Sequence, residues 1–382
     1  MKNRFNKIKT IELLIVCLSI YFPLFLFNLG INISRGSRNQ ERISNDQEKI
    51  LEARSDGFVP YYIPKETFNF VDRFYPLGGK PNSKTYFCNE GYGLVKYQSD
   101  RFGLRNDDKK WDSINSYEER AFFIGDSFVH GSCVNNKETI SEVFQKESGI
   151  LSFNLGSAGA TPVHYEAFMK MFLNPLLQKQ KKLKSDSVFL IFYFNDNCRT
   201  CNPNKYYFDN ANEDFFPIIP ANNNLRLNPK YNENIDKVAE RVENDILLKK
   251  SNNISQNLFK LQELFTLKIL KIHFGRYLYS IGLRRNYNEN DATEKAIFSL
   301  NQLCKNKCKA YISYIPPSAK DNVYGSERYK SHIKKISRKY GIKFIDLQNI
   351  ISGNNKSDFA PKGSHLSIAG YEEVGQFLNK SK

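Results

Sequence analysis

Two residues in this chain have the chemistry and the setting for nucleophilic catalysis. Gly125-Asp126-Ser127 closes a short apolar run at residues 120–124, and residues 137–147 then carry apolar side chains at helical spacing. A serine at the end of a buried strand stands on a rigid element at the edge where open α/β sheets bind ligands. It becomes a nucleophile when a base can take its proton and N–H donors await the oxyanion. A G-D-S tripeptide by itself is also an ordinary strand-end turn, so the choice of base matters. The chain offers five histidines: His130, His164, His273, His332 and His365. His365 follows the loop Pro361-Lys362-Gly363 and precedes the last helical stretch, so it too sits at a loop-to-helix junction. His130 and His164 lie near the same loops and remain candidates.

Four segments together resemble the sequence blocks of the SGNH (GDSL-like) hydrolase superfamily, in the family's order. They are Ile124-Gly125-Asp126-Ser127-Phe128-Val129-His130-Gly131, Asn154-Leu155-Gly156-Ser157-Ala158-Gly159, Tyr193-Phe194-Asn195-Asp196 and Gly363-Ser364-His365-Leu366-Ser367-Ile368-Ala369-Gly370. The resemblance implies that Ser127 is the nucleophile and His365 the base. The N–H groups of Ser127 and Gly159 and the amide of Asn195 would form the oxyanion hole. Two departures stand out. Tyr193 replaces the usual glycine of the third block, and Lys362 occupies the position, three before the histidine, where the triad acid normally lies. Three readings follow: Asp358 reaches His365 by a loop back through Phe359-Ala360-Pro361, a Ser–His dyad operates without an acid, or the site binds without turnover.

The elements that must position these residues alternate. Strand-like runs fall at residues 120–124, 150–155, 187–194, 310–315 and 343–347, and helical periods at 137–147, 163–177, 293–305, 327–340 and 368–378. Such alternation with short links predicts a parallel sheet covered by helices on both faces. The expected fold is a flavodoxin-like three-layer α/β/α sandwich, as the resemblance also implies, interrupted by a helical insertion at about residues 197–290. Residues 35–60 read as a polar linker and residues 61–116 as a loop-rich approach to the domain, which runs from 61 to 382.

Residues 1–34 read as an N-terminal transmembrane anchor. Lys2, Arg4, Lys7 and Lys9 precede an apolar stretch at residues 11–33, which as a helix would be about 34 Å long and could span a bilayer. No small-x-small cleavage site follows it, and the expectation is a single-pass protein with its domain outside the cytoplasm. Of seven cysteines, Cys17 lies in that stretch, leaving Cys88, Cys133, Cys198, Cys201, Cys304 and Cys308. Six thiols in an oxidising compartment suit disulfides; zinc at the Cys198/Cys201 and Cys304/Cys308 pairs is the alternative. The net charge of +16 accompanies scattered lysines and no nucleic-acid motif. The resemblance and the expected anchor imply as partners an acylated carbohydrate or lipid and the membrane, with no nucleic acid and no cofactor. The apolar stretch at residues 258–283 reads as a lid or buried helix, or as a membrane-contacting face. The segment Ser99-Asp100-Arg101-Phe102-Gly103-Leu104-Arg105-Asn106 resembles one that precedes the serine block in related extracytoplasmic proteins; the residues themselves establish only a turn held by Gly103.

Overall fold

The computed structural model describes residues 19, 21–30, 49–61, 77–178, 186–196, 218–221, 224–248, 266–267, 274, 277–278, 281, 289–318, 326–352 and 357–382. Its central sheet has five strands: β4 (Arg120–Gly125), β5 (Leu151–Gly156), β6 (Ser187–Tyr193), β9 (Lys309–Ile315) and β10 (Lys343–Asp346). They pair in the order β5-β4-β6-β9-β10, every pair parallel. Counted within the sheet this is 2-1-3-4-5, the flavodoxin-like order, whose reversal lies beside the first strand. Ser127 follows that strand.

Every residue of β4, β5 and β6 is buried, as expected of strands covered on both faces. Alternate side chains feed two cores. On one face Phe122, Ile124, Val188, Leu190 and Phe192 pack with α4 (Pro162–Phe168), α7 (Glu289–Cys304) and α8 (Ser326–Lys339). On the other, Phe123, Phe189, Tyr311 and Ile345 pack with α2 (Ser127–His130), α3 (Ile140–Ser148) and α9 (Ile368–Ser381). The helices present their apolar residues at three- and four-residue intervals, such as Tyr329, Ile333 and Ile336 of α8 or Tyr371, Val374 and Leu378 of α9. Each such side chain contributes about 1.5–3 kcal/mol by leaving water. Across the second face Phe123, Phe189 and Tyr311 stack in a column, ring centroids 4.9 and 4.8 Å apart.

Helix α4 runs through a π turn at Met169–Leu173 into α5 (Asn174–Gln178). Pro175 explains the wider turn, since it has no N–H to bond the carbonyl four residues back. The end of the expected linker and the loop-rich approach after it form a small sheet of β1 (Val59–Pro60), β2 (Lys84–Tyr86) and β3 (Lys96–Gln98), with β1–β2 parallel and β2–β3 antiparallel. Strands of two or three residues are too short to leave a periodic trace. They precede α1 (Lys109–Ser113). The described part of the insertion includes a hairpin of β7 (Ile218–Ala221) and β8 (Asn224–Leu227), followed by α6 (Pro229–Leu248).

The chain divides into two compact units, residues 50–244 with 285–382, and residues 1–49 with 245–284. Of the second unit, residues 21–30 are helical. No described helix is long and apolar enough to cross a membrane. Much of the expected anchor and most of residues 258–283 lie outside the described residues, as does the Cys198/Cys201 pair.

Candidate functional site

Ser127 is the first residue of α2, a single turn set directly on the end of β4. Asp126 caps it, its Oδ1 accepting from the Phe128 N–H at 2.9 Å, which fixes the angle at which the serine leaves the sheet. His365 lies between β10 and α9, and its Nε2 is 2.9 Å from Ser127 Oγ. The expected nucleophile and base, 238 residues apart in sequence, are therefore in hydrogen-bond contact.

The partner of the other ring nitrogen is a correction. Asp358 does not reach His365. Its Oδ2 accepts from the Ser352 N–H at 2.7 Å and its Oδ1 from the Ser357 hydroxyl at 3.3 Å. The chain does loop back, since Ala360 N donates to His365 O at 2.8 Å and Ser367 N to Asp358 O at 2.9 Å. That bridge, however, turns the Asp358 side chain toward residues 352 and 357. Nδ1 of His365 instead faces Glu90, with Oε1 at 2.9 Å, while Oε2 accepts from the His365 backbone N–H at 3.1 Å. One carboxylate thus holds both the ring and the main chain of the same histidine. Because a carboxylate only accepts, Nδ1 carries the proton, which leaves Nε2 with a lone pair aimed at Ser127.

Glu90 arrives from the loop between β2 and β3, whose ends are secured twice. Lys362 N donates to Glu90 O at 2.9 Å, so the residue at the usual acid position grips the new acid by its backbone. Gly363 makes room: a Cβ there would fall 1.7 Å from the Glu90 carboxyl carbon. Two residues before Glu90, Cys88 forms a disulfide with Cys133, just beyond α2, their Cα atoms 5.0 Å apart. The loop that carries Glu90 is thereby tied covalently to the one that follows Ser127. Glu90, His365 and Cys133 offer donor atoms within 4.8 Å of one another, but the Cys133 sulfur is spent on Cys88 and cannot serve as a thiolate ligand.

The residues expected on the oxyanion side begin with the turn after β5. Ser157 N donates to Gly125 O at 3.2 Å, bringing this turn to the start of α2. Tyr61, buried beneath it, accepts from the Ala158 N–H at 3.2 Å and pairs with Ser157 Oγ at 2.9 Å; burial pushes its phenol up to about 12. Gly159 is exposed at φ +78°, a conformation that favours glycine. The backbone of Asn195 lies in the turn Phe194–Asp196 at the end of β6, whereas its side chain lies outside what is described. Tyr193, in place of glycine, packs its ring 4.0 Å from that of Phe128, and Phe128 lies 5.0 Å from the His365 ring. Tyr193 thus backs the Phe128 ring that packs against the histidine.

Two buried carboxylates underlie the site. Asp126 is raised to about 6, chiefly by burial. Asp196 is raised well above the ordinary range by burial and then by the charge of Asp126; it accepts from the Tyr193 N–H at 2.7 Å. The other histidine candidates are elsewhere. His130 is buried among Tyr61, Phe87 and Tyr97, with Nε2 3.2 Å from the Tyr97 hydroxyl. Burial pulls its pKa well below the ordinary value. His164 completes a capping box with Thr161 at the start of α4. Cys304 and Cys308 are joined as a disulfide, which removes them from the zinc alternative.

No protein-family model matches the chain, and no curated protein does. Among solved structures it is similar to one assigned to the lipolytic G-D-S-L family from Desulfitobacterium hafniense DCB-2, at 11% identity and TM-score 0.37, covering 69% of this chain and 99% of that one. A lipolytic G-D-S-L family member from Veillonella parvula DSM 2008 gives 12% identity and TM-score 0.36 over 69% and 97%. A GDSL-like lipase from Bacteroides thetaiotaomicron VPI-5482 gives 15% and 0.33 over 72% and 95%. Likeness at this level carries no functional weight beside the site's own geometry.

Proposed function

We propose that this chain is an SGNH-type serine ester hydrolase in which Ser127, His365 and Glu90 form the triad. The observation that carries this reading is the continuous hydrogen-bonded line from Glu90 through both nitrogens of His365 to Ser127 Oγ, each link 2.9 Å. Nε2 takes the hydroxyl proton as Oγ attacks an ester carbonyl, and Glu90 stabilises the imidazolium that forms. The N–H groups of Ser127 and Gly159, with the Asn195 amide that the family resemblance assigns, receive the negative charge on the carbonyl oxygen. Each such donor is worth about 100- to 1000-fold in rate. His365 then returns the proton to the departing alkoxide, leaving an acyl-serine for water to cleave.

The preferred substrates are small acyl esters, acetyl above all, on carbohydrate or lipid of the cell envelope. The apolar N-terminal stretch and the disulfides support that setting. Transfer of the acyl group to a surface polysaccharide hydroxyl uses the same acyl-enzyme and differs only in the acceptor. The reading as a non-catalytic glycan-binding module drew its support from Lys362 at the acid position, and Glu90 on Nδ1 removes that support.

The test is hydrolysis of p-nitrophenyl acetate by the full-length protein, with fluorophosphonate labelling alongside. Turnover and labelling both vanish in Ser127→Ala, and turnover falls to background in His365→Ala. A folded parent protein that neither turns over ester nor takes up the probe would sink the proposal.

A further inference from the structure

The segment Ser99–Asn106 lies outside the triad, yet two of its buried polar side chains, Arg105 and Asn106, end on the elements that carry Ser127 and lead to Gly159. Asp100 is wholly buried and organises the segment. Its Oδ1 accepts from the N–H groups of Phe102 and Leu104 at 2.9 and 2.8 Å, and its Oδ2 from Asn106 Nδ2 and Trp111 Nε1 at 3.0 and 2.8 Å. Gly103 makes the tight turn at φ +75°, where a Cβ would lie 2.0 Å from Gly79 O.

From this loop two side chains reach out. Arg105, buried beside the Tyr97 ring at 4.7 Å, spends its donors behind α2. Nη1 donates to Gly131 O at 2.5 Å and more weakly to His130 O at 3.4 Å, Nη2 donates to Val134 O, and Nε to Asn136 Oδ1 at 2.7 Å. These carbonyls lie at and beyond the C-terminal end of the turn whose first residue is Ser127, and the guanidinium gives each of them a donor. Asn106 pairs with the main chain of Asn154 in β5 as a strand would. Its Oδ1 accepts from Asn154 N at 2.7 Å and its Nδ2 donates to Asn154 O at 3.0 Å. The Asn154 side chain passes the constraint on, accepting from Gly156 N at 2.9 Å and donating to His130 O at 3.4 Å.

We infer that Ser99–Asn106 is a positioning clamp for the serine-hydrolase site proposed above, on which reading this inference rests. Arg105 sets the nucleophile's turn, Asn106 sets the strand that leads into the Gly159 loop, and Asp100 fixes the distance between the two. Neither Arg105 nor Asn106 contacts the triad, so both act through the elements they hold.

The experiment compares Arg105→Lys and Asn106→Asp with the parent in the full-length protein, reading kcat and KM on p-nitrophenyl acetate and backbone amide exchange. Asp186→Ala serves as a control that destabilises the sheet from its far end. The expected result is a fall in kcat of about 10- to 100-fold with little change in KM. Faster exchange should be confined to residues 127–136 and 154–160. The control should lose thermal stability while folded protein keeps its kcat. Unchanged kcat in the folded variants, or exchange that rises evenly through the sheet, overturns the clamp. A parent without Ser127-dependent turnover defeats the hydrolase reading instead, and the exchange pattern alone then judges the clamp: localised acceleration upholds it, an even or absent change overturns it.

Discussion

The two nitrogens of His365 differ in role because their partners differ in chemistry, a hydroxyl on one side and a carboxylate on the other. Glu90→Gln keeps the shape but can present an N–H to Nδ1, which favours the wrong tautomer. Its kcat should fall by about 100- to 10,000-fold. Asp358→Asn, at the position the sequence favoured for the acid, should leave kcat of folded protein within about twofold, since its carboxylate serves Ser352 and Ser357. Steady-state hydrolysis by the two variants separates the assignments. Asp126 supports a different expectation, in stability. Its folded-state pKa, about 6, lies above the ordinary 3.8, so the folded state holds the proton more tightly than the unfolded chain. The stability this provides is full below about pH 4 and is lost as pH rises through about 6. Asp126→Asn keeps an oxygen for the Phe128 N–H and removes the titration. The decline in Tm between pH 4 and 7 should be shallower in that variant than in the parent.

At the scale of elements, what could be read from sequence follows from periodicity. The strands of the main sheet are short runs rich in apolar residues and their helices keep a steady apolar stripe. The amino-acid pattern alone therefore puts Ser127, Gly159, Asn195 and His365 at the ends of strands or the starts of helices. It does not do so for Glu90, for two physical reasons. The loop that carries Glu90 joins strands of only three residues each, and its approach to Ser127 depends on one pairing among six cysteines, which spacing alone does not fix. The trace it left is Gly363, where a side chain would occupy the space of the carboxylate. Gly363→Ala should displace Glu90 while leaving Ser127 and the sheet intact. Its kcat should approach that of Glu90→Ala, and combining the two substitutions should add little. Additive losses in that double-mutant cycle would show that the glycine serves something other than the acid.

Over the whole molecule the sheet is held at both ends. Opposite the serine, Arg120 at the start of β4 forms a fully buried pair with Asp186, which immediately precedes β6, at 2.5 Å. Breaking such a pair typically costs about 3–5 kcal/mol, which is why Asp186→Ala is a fair measure of general destabilisation. The parallel sheet with helices on both faces was legible because alternating strands and helices with short links admit few topologies. The small three-stranded sheet was not, since its strands are only two or three residues long and one of its pairings joins Val59 to Thr85 without any pattern between them. That small sheet carries the acid, and one covalent bond, Cys88–Cys133, joins its loop to the serine's. The consequence is a form of delayed maturation. In a reducing compartment both thiols stay free and the acid loop is held only by weak contacts; oxidation would complete the triad after the rest of the fold has formed. Protein refolded under reducing conditions should hydrolyse ester about tenfold or more slowly than oxidised protein, and should gain activity as those two thiols disappear. Equal rates at equal folded fraction would mean that the loop finds its place unaided. If the rates differ, the closing of one sulfur–sulfur bond is the step that brings the finished chain to work.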